Sequence, residues 1–162
     1  MSSSQQRSGI GYDAHRFVEG RRLVLGGVEI PHARGLAGHS DADVLSHAIA
    51  DALLGAAGER DIGHHFPNSD EAIRGISSLQ ILRRVEEILA EKKFRITNVD
   101  ATLIAEAPKI GSHLDSMREN VAAALGIDVS CIGIKATTNE GMGALGRGEG
   151  MAALAVASIA QE

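Results

Sequence analysis

Aromatic side chains are almost absent from this 162-residue chain, which has no tryptophan, one tyrosine and three phenylalanines. A surface that reads single-stranded nucleic acid needs stacking faces along a positive groove. Neither is available: the formal net charge is −5 and no long basic run occurs, so no nucleic-acid partner is expected. The core has to be built from leucine, isoleucine, valine and alanine. Cysteine is scarcer still. Cys131 stands alone, which excludes a disulfide within the chain and fits a reducing, cytoplasmic setting; a buried, inert thiol is expected. Met1 to Ser8 is polar and has no apolar segment of the secretory kind. The longest nearly apolar run, Met151 to Ala160, is too short to span a bilayer, so no membrane partner is expected.

What is present is an ordinary globular composition, 44% hydrophobic, in a length that suits one domain. Residues 1–8 read as a disordered tail and residues 9–162 as a single catalytic domain. Gly9 to His15 is expected as a strand. Leu23-Val24-Leu25 and Val28-Glu29-Ile30 flank Gly26-Gly27, a hairpin signature. A helix follows near Ser40, with Ser40 and Asp43 as a capping box and Leu45, Ala48, Ile49, Ala52, Leu53 and Ala56 as its core stripe. Residues 59–76 read as a long polar loop. Ser77–Lys92 and Ser112–Leu125 read as helices, and Arg95–Ala105 and Cys131–Ala136 as strands. Met151–Ile159 is apolar on both faces, as a strand covered on both sides would be. The order of elements predicts an α+β fold, a mixed sheet with helices packed on one side in a two-layer sandwich.

Some residues carry chemistry. Asp13 and His15 are two apart on a strand, so their side chains leave the same face; a divalent metal and a simple hydrogen-bonded pair both remain open there. His47 has Asp43 and Asp51 four residues to either side, which suits a metal-ligand histidine oriented by a carboxylate and equally a solvated ion-pairing face. His39-Ser40 precedes a helix, where an anion is favoured, although Ser40 also serves as a plain cap. Gly141-Met142-Gly143-Ala144-Leu145-Gly146 matches a dinucleotide-binding pattern, but the chain left after it is too short for the required βαβ unit. Lys135 and Thr137-Thr138-Asn139-Glu140 supply donors and one carboxylate, suited to phosphate with a hard cation or to a generic polar turn. His32, His64, His65 and His113 carry no argument of their own.

Seven blocks in collinear order resemble one enzyme family. They are Gly9-Ile-Gly-Tyr-Asp-Ala-His-Arg-Phe, Gly35-Leu-Ala-Gly-His-Ser-Asp-Ala-Asp-Val-Leu, His47-Ala-Ile-Ala-Asp-Ala-Leu-Leu-Gly-Ala-Ala, Asp61-Ile-Gly-His-His-Phe-Pro, Ala107-Pro-Lys, Lys135-Ala-Thr-Thr-Asn-Glu and Gly146-Arg-Gly-Glu-Gly. The family is 2-C-methyl-D-erythritol 2,4-cyclodiphosphate synthase. The resemblance implies that 4-diphosphocytidyl-2-C-methyl-D-erythritol 2-phosphate is closed to the cyclic diphosphate with release of CMP, in the non-mevalonate route to isoprenoids. It implies zinc on Asp13, His15 and His47, and magnesium or manganese at Glu140 with the diphosphate. His39 and Thr138 match residues that stabilise the transition state, and Lys135 adds a charge to the catalytic set. Asp61 and Gly63 would meet the erythritol, with Ser40, Phe66 and Asp70 as further substrate contacts. Ala105 to Ile110, including Pro108 and Lys109, would form the cytidine pocket together with Thr137. A homotrimer with active sites between subunits is implied, with Arg147 as a diphosphate anchor on its axis.

Three positions depart from the family pattern: Asn68 and Arg60 in the loop, and Ala144 where phenylalanine is common. Two other readings compete. A zinc phosphohydrolase would use the same metal on water, and a binding protein would hold a structural metal, although such sites usually have four protein ligands and often cysteines.

Overall fold

A computed structural model describes residues 5–162. Its long strands are β1 (Gln6–Val18), β5 (Phe94–Ile104), β6 (Ile132–Thr137) and β7 (Gly150–Gln161). The short ones are β2 (Leu23–Leu25), β3 (Val28–Ile30) and β4 (Gly35–Leu36). The helices are α1 (Val44–Ala56), α2 (Ile62–His65), α3 (Ser78–Glu91), α4 (Leu114–Leu125) and α5 (Gly143–Gly146). Five strands form one mixed sheet in the order β4-β1-β7-β5-β6, in which only β5 and β6 run parallel. The helices α1, α3 and α4 pack on one face, so the expected two-layer α+β fold is observed. No helix among the described residues is long and apolar enough to cross a membrane.

Strand alternation divides the sheet cleanly. From β7, Met151, Ala153, Ala155, Ala157 and Ile159 turn towards the helices and are fully buried, whereas Leu154 and Val156 turn away and are exposed. Ile10 and Tyr12 of β1 lie opposite Val156 and Leu154 and are likewise exposed. β7 is therefore covered on one side within the chain, and its open side carries an apolar patch.

Helix α1 lies directly on β1 because two glycines let it. A Cβ on Gly9 would sit 2.1 Å from the carbonyl oxygen of Ala52, and one on Gly11 would sit 1.9 Å from that of Ala48. Backbone meets backbone there, with only alanine side chains on the helix. Asp13 and His15 continue the same strand face one turn of helix further on, which brings them to His47.

Several expectations are corrected. β1 begins at Gln6, and residues 6–8 pair with Ser158–Ala160, so they are not a tail; residues 1–4 lie outside the described residues. The capping box does not form. Ala42 takes a left-handed backbone conformation (φ 57°), and α1 starts only after it, with Asp43 as the cap that accepts from the Ser46 amide. Nor is Asp43 on a polar face: it is fully buried, and its two oxygens accept from the amides of Gly26 and Gly27 at 3.0 and 2.9 Å. That contact docks the β2–β3 hairpin, whose turn needs the positive φ of both glycines. The polar loop of 59–76 contains α2 and a turn of 3₁₀ helix at Glu71–Ile73. Cys131 ends another such turn and is half-buried.

Candidate active site

Asp13 and His15 from β1 meet His47 from α1 at the edge of a cavity. Asp13 Oδ2 lies 2.8 Å from His15 Nε2 and 3.1 Å from His47 Nδ1, and the two ring nitrogens are 3.4 Å apart. One ligand atom from each residue thus converges on a single point. Burial alone would raise the Asp13 pKa, but hydrogen bonds and charge from His15 and His47 outweigh it and bring it down to about 2. Burial works to lower that of His15, and Asp13 overrides it, so the imidazole sits above its ordinary value. An anionic oxygen with two imidazole nitrogens, arranged so tightly and only partly exposed, fits a divalent cation of the zinc class and leaves further coordination positions for a ligand.

The cavity beside the triad, about 290 Å³, is lined by His15, Gly38, His39, Ser40, His47, Asp61, Ile62, Gly63, Phe66, Asn68 and three isoleucines. Two anchors hold its loops. The Arg21 guanidinium donates to the carbonyls of Gly38 and Ser40, on either side of His39. Asp51 accepts from the Ile62 amide at 2.7 Å and so ties the start of α2, with Asp61 and Gly63, to the helix that carries His47. Burial first, and the nearby carboxylates of Asp61 and Asp13, hold Asp51 above the usual range. Asp70 is exposed, caps the Ala72 amide, and touches the site only through its backbone oxygen, 3.4 Å from His39 Nε2.

A second cavity, about 180 Å³, is lined by Leu103, Ala105, Glu106, Pro108, Lys109, Ile110, Gly111, Ala136, Thr137 and Thr138. Glu106 organises its rim: one carboxylate oxygen accepts from the amides of Asn139 and Gly141 at 2.9 and 3.2 Å, which pins the turn bearing Thr138 and Glu140. The two cavities share no residue. Cross-strand pairing puts them at the same end of the sheet, through His15–Met151, Ala152–Ile104 and Ile104–Thr137. Three inter-strand steps, roughly 14 Å at about 4.8 Å each, separate them. Within one chain, then, His39 and Thr138 do not meet.

Glu140 is exposed and lines neither cavity, and two more expected site residues lie away from both. Lys135 enters neither cavity, because alternation along β6 sends it to the open sheet face, where it pairs with Asp100. Arg147 is exposed and pairs with Glu149 at 2.7 Å. The glycine-rich segment holds a single helical turn, α5, before β7. The sequence assigns no role to Arg21, Asp41 or Ser78, since each acts on a partner distant in sequence; Asp41 lies within the second family block and Ser78 beside the expected helix start at Ser77. Glu106 falls inside the expected Ala105–Ile110 segment, but its hold on the turn at Asn139 and Gly141 has no local signal.

The profile of the YgbB family matches residues 6–160. The chain belongs to the YgbB family. Among its YgbB relatives, the 2-C-methyl-D-erythritol 2,4-cyclodiphosphate synthase of Desulfosudis oleivorans is 58% identical over 96% of this chain and 93% of that protein. Solved structures agree. Plasmodium falciparum IspF in its CDP complex superposes with a TM-score of 0.85 at 34% identity, over 99% of both chains. The bifunctional IspDF of Campylobacter jejuni superposes with a TM-score of 0.94 at 39% identity; 99% of this chain matches 43% of that one, so the chain spans under half of the bifunctional protein. The YgbB chain described here makes 2-C-methyl-D-erythritol 2,4-cyclodiphosphate, as the seven sequence blocks led us to expect.

Proposed function

We propose that the chain performs this cyclisation with a zinc-class ion held by Asp13, His15 and His47, acting on 4-diphosphocytidyl-2-C-methyl-D-erythritol 2-phosphate and releasing CMP. The convergence of Asp13 Oδ2, His15 Nε2 and His47 Nδ1 at the edge of a cavity carries the reading. When bound, the ion supplies positive charge to a phosphate oxygen, which favours attack on phosphorus. The chain's own residues do the rest. Asp61, Gly63 and Phe66 receive the methylerythritol end, while His39 and Ser40 donate to phosphate oxygens at a place that Arg21 fixes. The nucleophile is an ionised phosphate, so no strong base is required; holding two anions together is the main task. Thr138 donates to the diphosphate, and Glu140 in the turn beyond it is the carboxylate for a magnesium or manganese ion. Ala105, Pro108, Lys109, Ile110 and Thr137 enclose the cytidine. The CDP carried by the Plasmodium relative supports a cytidyl diphosphate as the ligand.

Neither cavity reaches the middle of the roughly 300–1,000 Å³ range of complete small-molecule sites, and each holds only half of the expected groups. We therefore read them as half-sites completed between subunits of a homotrimer. The exposed apolar patch of Ile10, Tyr12, Leu154 and Val156 is the surface such an assembly would bury. Incubation with the cytidyl substrate should yield CMP and the cyclic diphosphate in equal amounts. Release of inorganic phosphate would instead point to a zinc phosphohydrolase. Mixing two inactive variants, His47→Ala and Thr138→Ala, and allowing subunits to exchange should restore part of the activity if the halves come from different subunits; no recovery would put both halves on one chain.

A further inference from the structure

His47 has two ring nitrogens, and only one faces the metal point. Nδ1 looks towards Asp13 and His15, while Nε2 points away, 2.9 Å from Ser78 Oγ and 3.1 Å from Ser40 Oγ. To bind a metal, Nδ1 must present its lone pair, so the proton of the neutral ring has to be on Nε2. Something must make that tautomer the stable one.

We propose that Asp41 and Ser78 are positioning residues that lock His47 as its Nε2–H tautomer and thereby set the affinity of the site. The proposal rests on the reading of Asp13, His15 and His47 as a metal site. The argument is a count of protons. Ser78 is fully buried at the first residue of α3 and has one hydroxyl proton. Asp41 Oδ2 accepts from the Ser78 amide at 2.9 Å, and Asp41 Oδ1 accepts from the Ser78 hydroxyl. A carboxylate accepts only, so the hydroxyl proton is committed to Asp41. The Ser78 oxygen can then only accept from Nε2, which must carry a hydrogen. The carboxylates nearest to His47 along the chain cannot replace this device. Asp43 is occupied by the amides of Gly26 and Gly27, and Asp51 by that of Ile62. The orienting carboxylate acts through a serine from another helix, 37 residues away from it in sequence.

Two measurements on the full-length protein test this. One is zinc affinity, read by competition with a chromophoric chelator. The other is the pair of ring ¹⁵N shifts of His47 in metal-free protein, which report the tautomer whatever the activity. Wild type should show a proton on Nε2. Ser78→Ala should bind zinc about 10–100-fold more weakly, the usual cost of losing a partner behind a ligand, and its His47 should move towards a mixture of tautomers. Asp41→Asn preserves shape but can donate to Ser78, which frees the hydroxyl to donate to Nε2 and drives the proton to Nδ1. It should shift the ring pattern even if Ser78→Ala folds poorly. A merely structural role would lower thermal stability and leave the ring pattern unchanged, and that result overturns the proposal. Unchanged zinc affinity in both variants also overturns it. Failure of wild type to bind zinc would overturn the metal reading beneath it.

Discussion

The two cavities are built by opposite means. On the metal side, side chains do the work: Asp13, His15, His47, Ser40, Ser78 and Asp41 hold one another through a continuous set of hydrogen bonds, partly or wholly out of water. On the other side the backbone does it: a loop and a glycine-rich turn are pinned by Glu106, and most of the groups on offer are exposed. Under the proposed function, the geometry that would suit a cation of fixed size is buttressed by packed elements. The surface that would receive a flexible nucleotide is left to loops, which adjust at little cost.

The widest gap between the halves should come from Gly11→Ala. Its Cβ would overlap the Ala48 carbonyl, which demands a backbone shift of α1 against β1. We expect loss of metal binding and a stability cost of several kcal/mol, on the order of 4 or more, read by thermal melting and zinc titration. A variant that melts like wild type would mean that α1 can stand off the sheet freely. Next, His47→Ala should lower kcat/KM by about three orders of magnitude or more, chelation of wild type should do the same, and added zinc should rescue only the latter. Glu106→Ala should act more gently, at about 1.5–3 kcal/mol for the charged hydrogen bonds lost, or roughly 10–100-fold in kcat/KM. Zinc affinity should not move, and if it falls together with activity the halves are coupled more tightly than their geometry suggests.

The smallest effect concerns pH in metal-free protein. Asp13 is depressed from 3.8 to about 2, so its contacts stabilise the fold above its ordinary value and are lost as pH falls from there through about 2. His15 is raised above 6.5, so its contribution is complete below that value and fades as pH rises through its folded pKa. Asp13→Asn should flatten both limbs of the stability profile in chemical denaturation. A wild-type profile that is already flat would show that the pair does not interact in the absence of metal.

Much of this was legible in the sequence because it obeys periodicity. Strand alternation put Asp13 and His15 on one face, the spacing of Leu45 to Ala56 gave α1, and Gly26-Gly27 gave the hairpin. What failed was non-local. Asp43 reads as a helix-surface acid until the hairpin amides arrive from 16 and 17 residues upstream. Lys135 reads as part of a phosphate cluster until alternation along β6 hands it to Asp100. The hold of Ser78 on His47 spans 31 residues, and that of Glu106 on Asn139 spans 33; neither leaves a local pattern. The family resemblance joins Asp13, His15 and His47, which spacing alone cannot and which the structure brings together, although it assigns no role to the residues behind them.

The contact of α1 with β1 at Gly9 and Gly11 has one more consequence. Where side chains separate a helix from a sheet, their sizes set the gap, and repacking changes it. Here the stop is main chain on main chain, so the distance from the Asp13–His15 strand to the His47 helix behaves like a fixed gauge block. Leucines and valines elsewhere in the core can be exchanged, and the fold made more or less stable, without recalibrating the metal site.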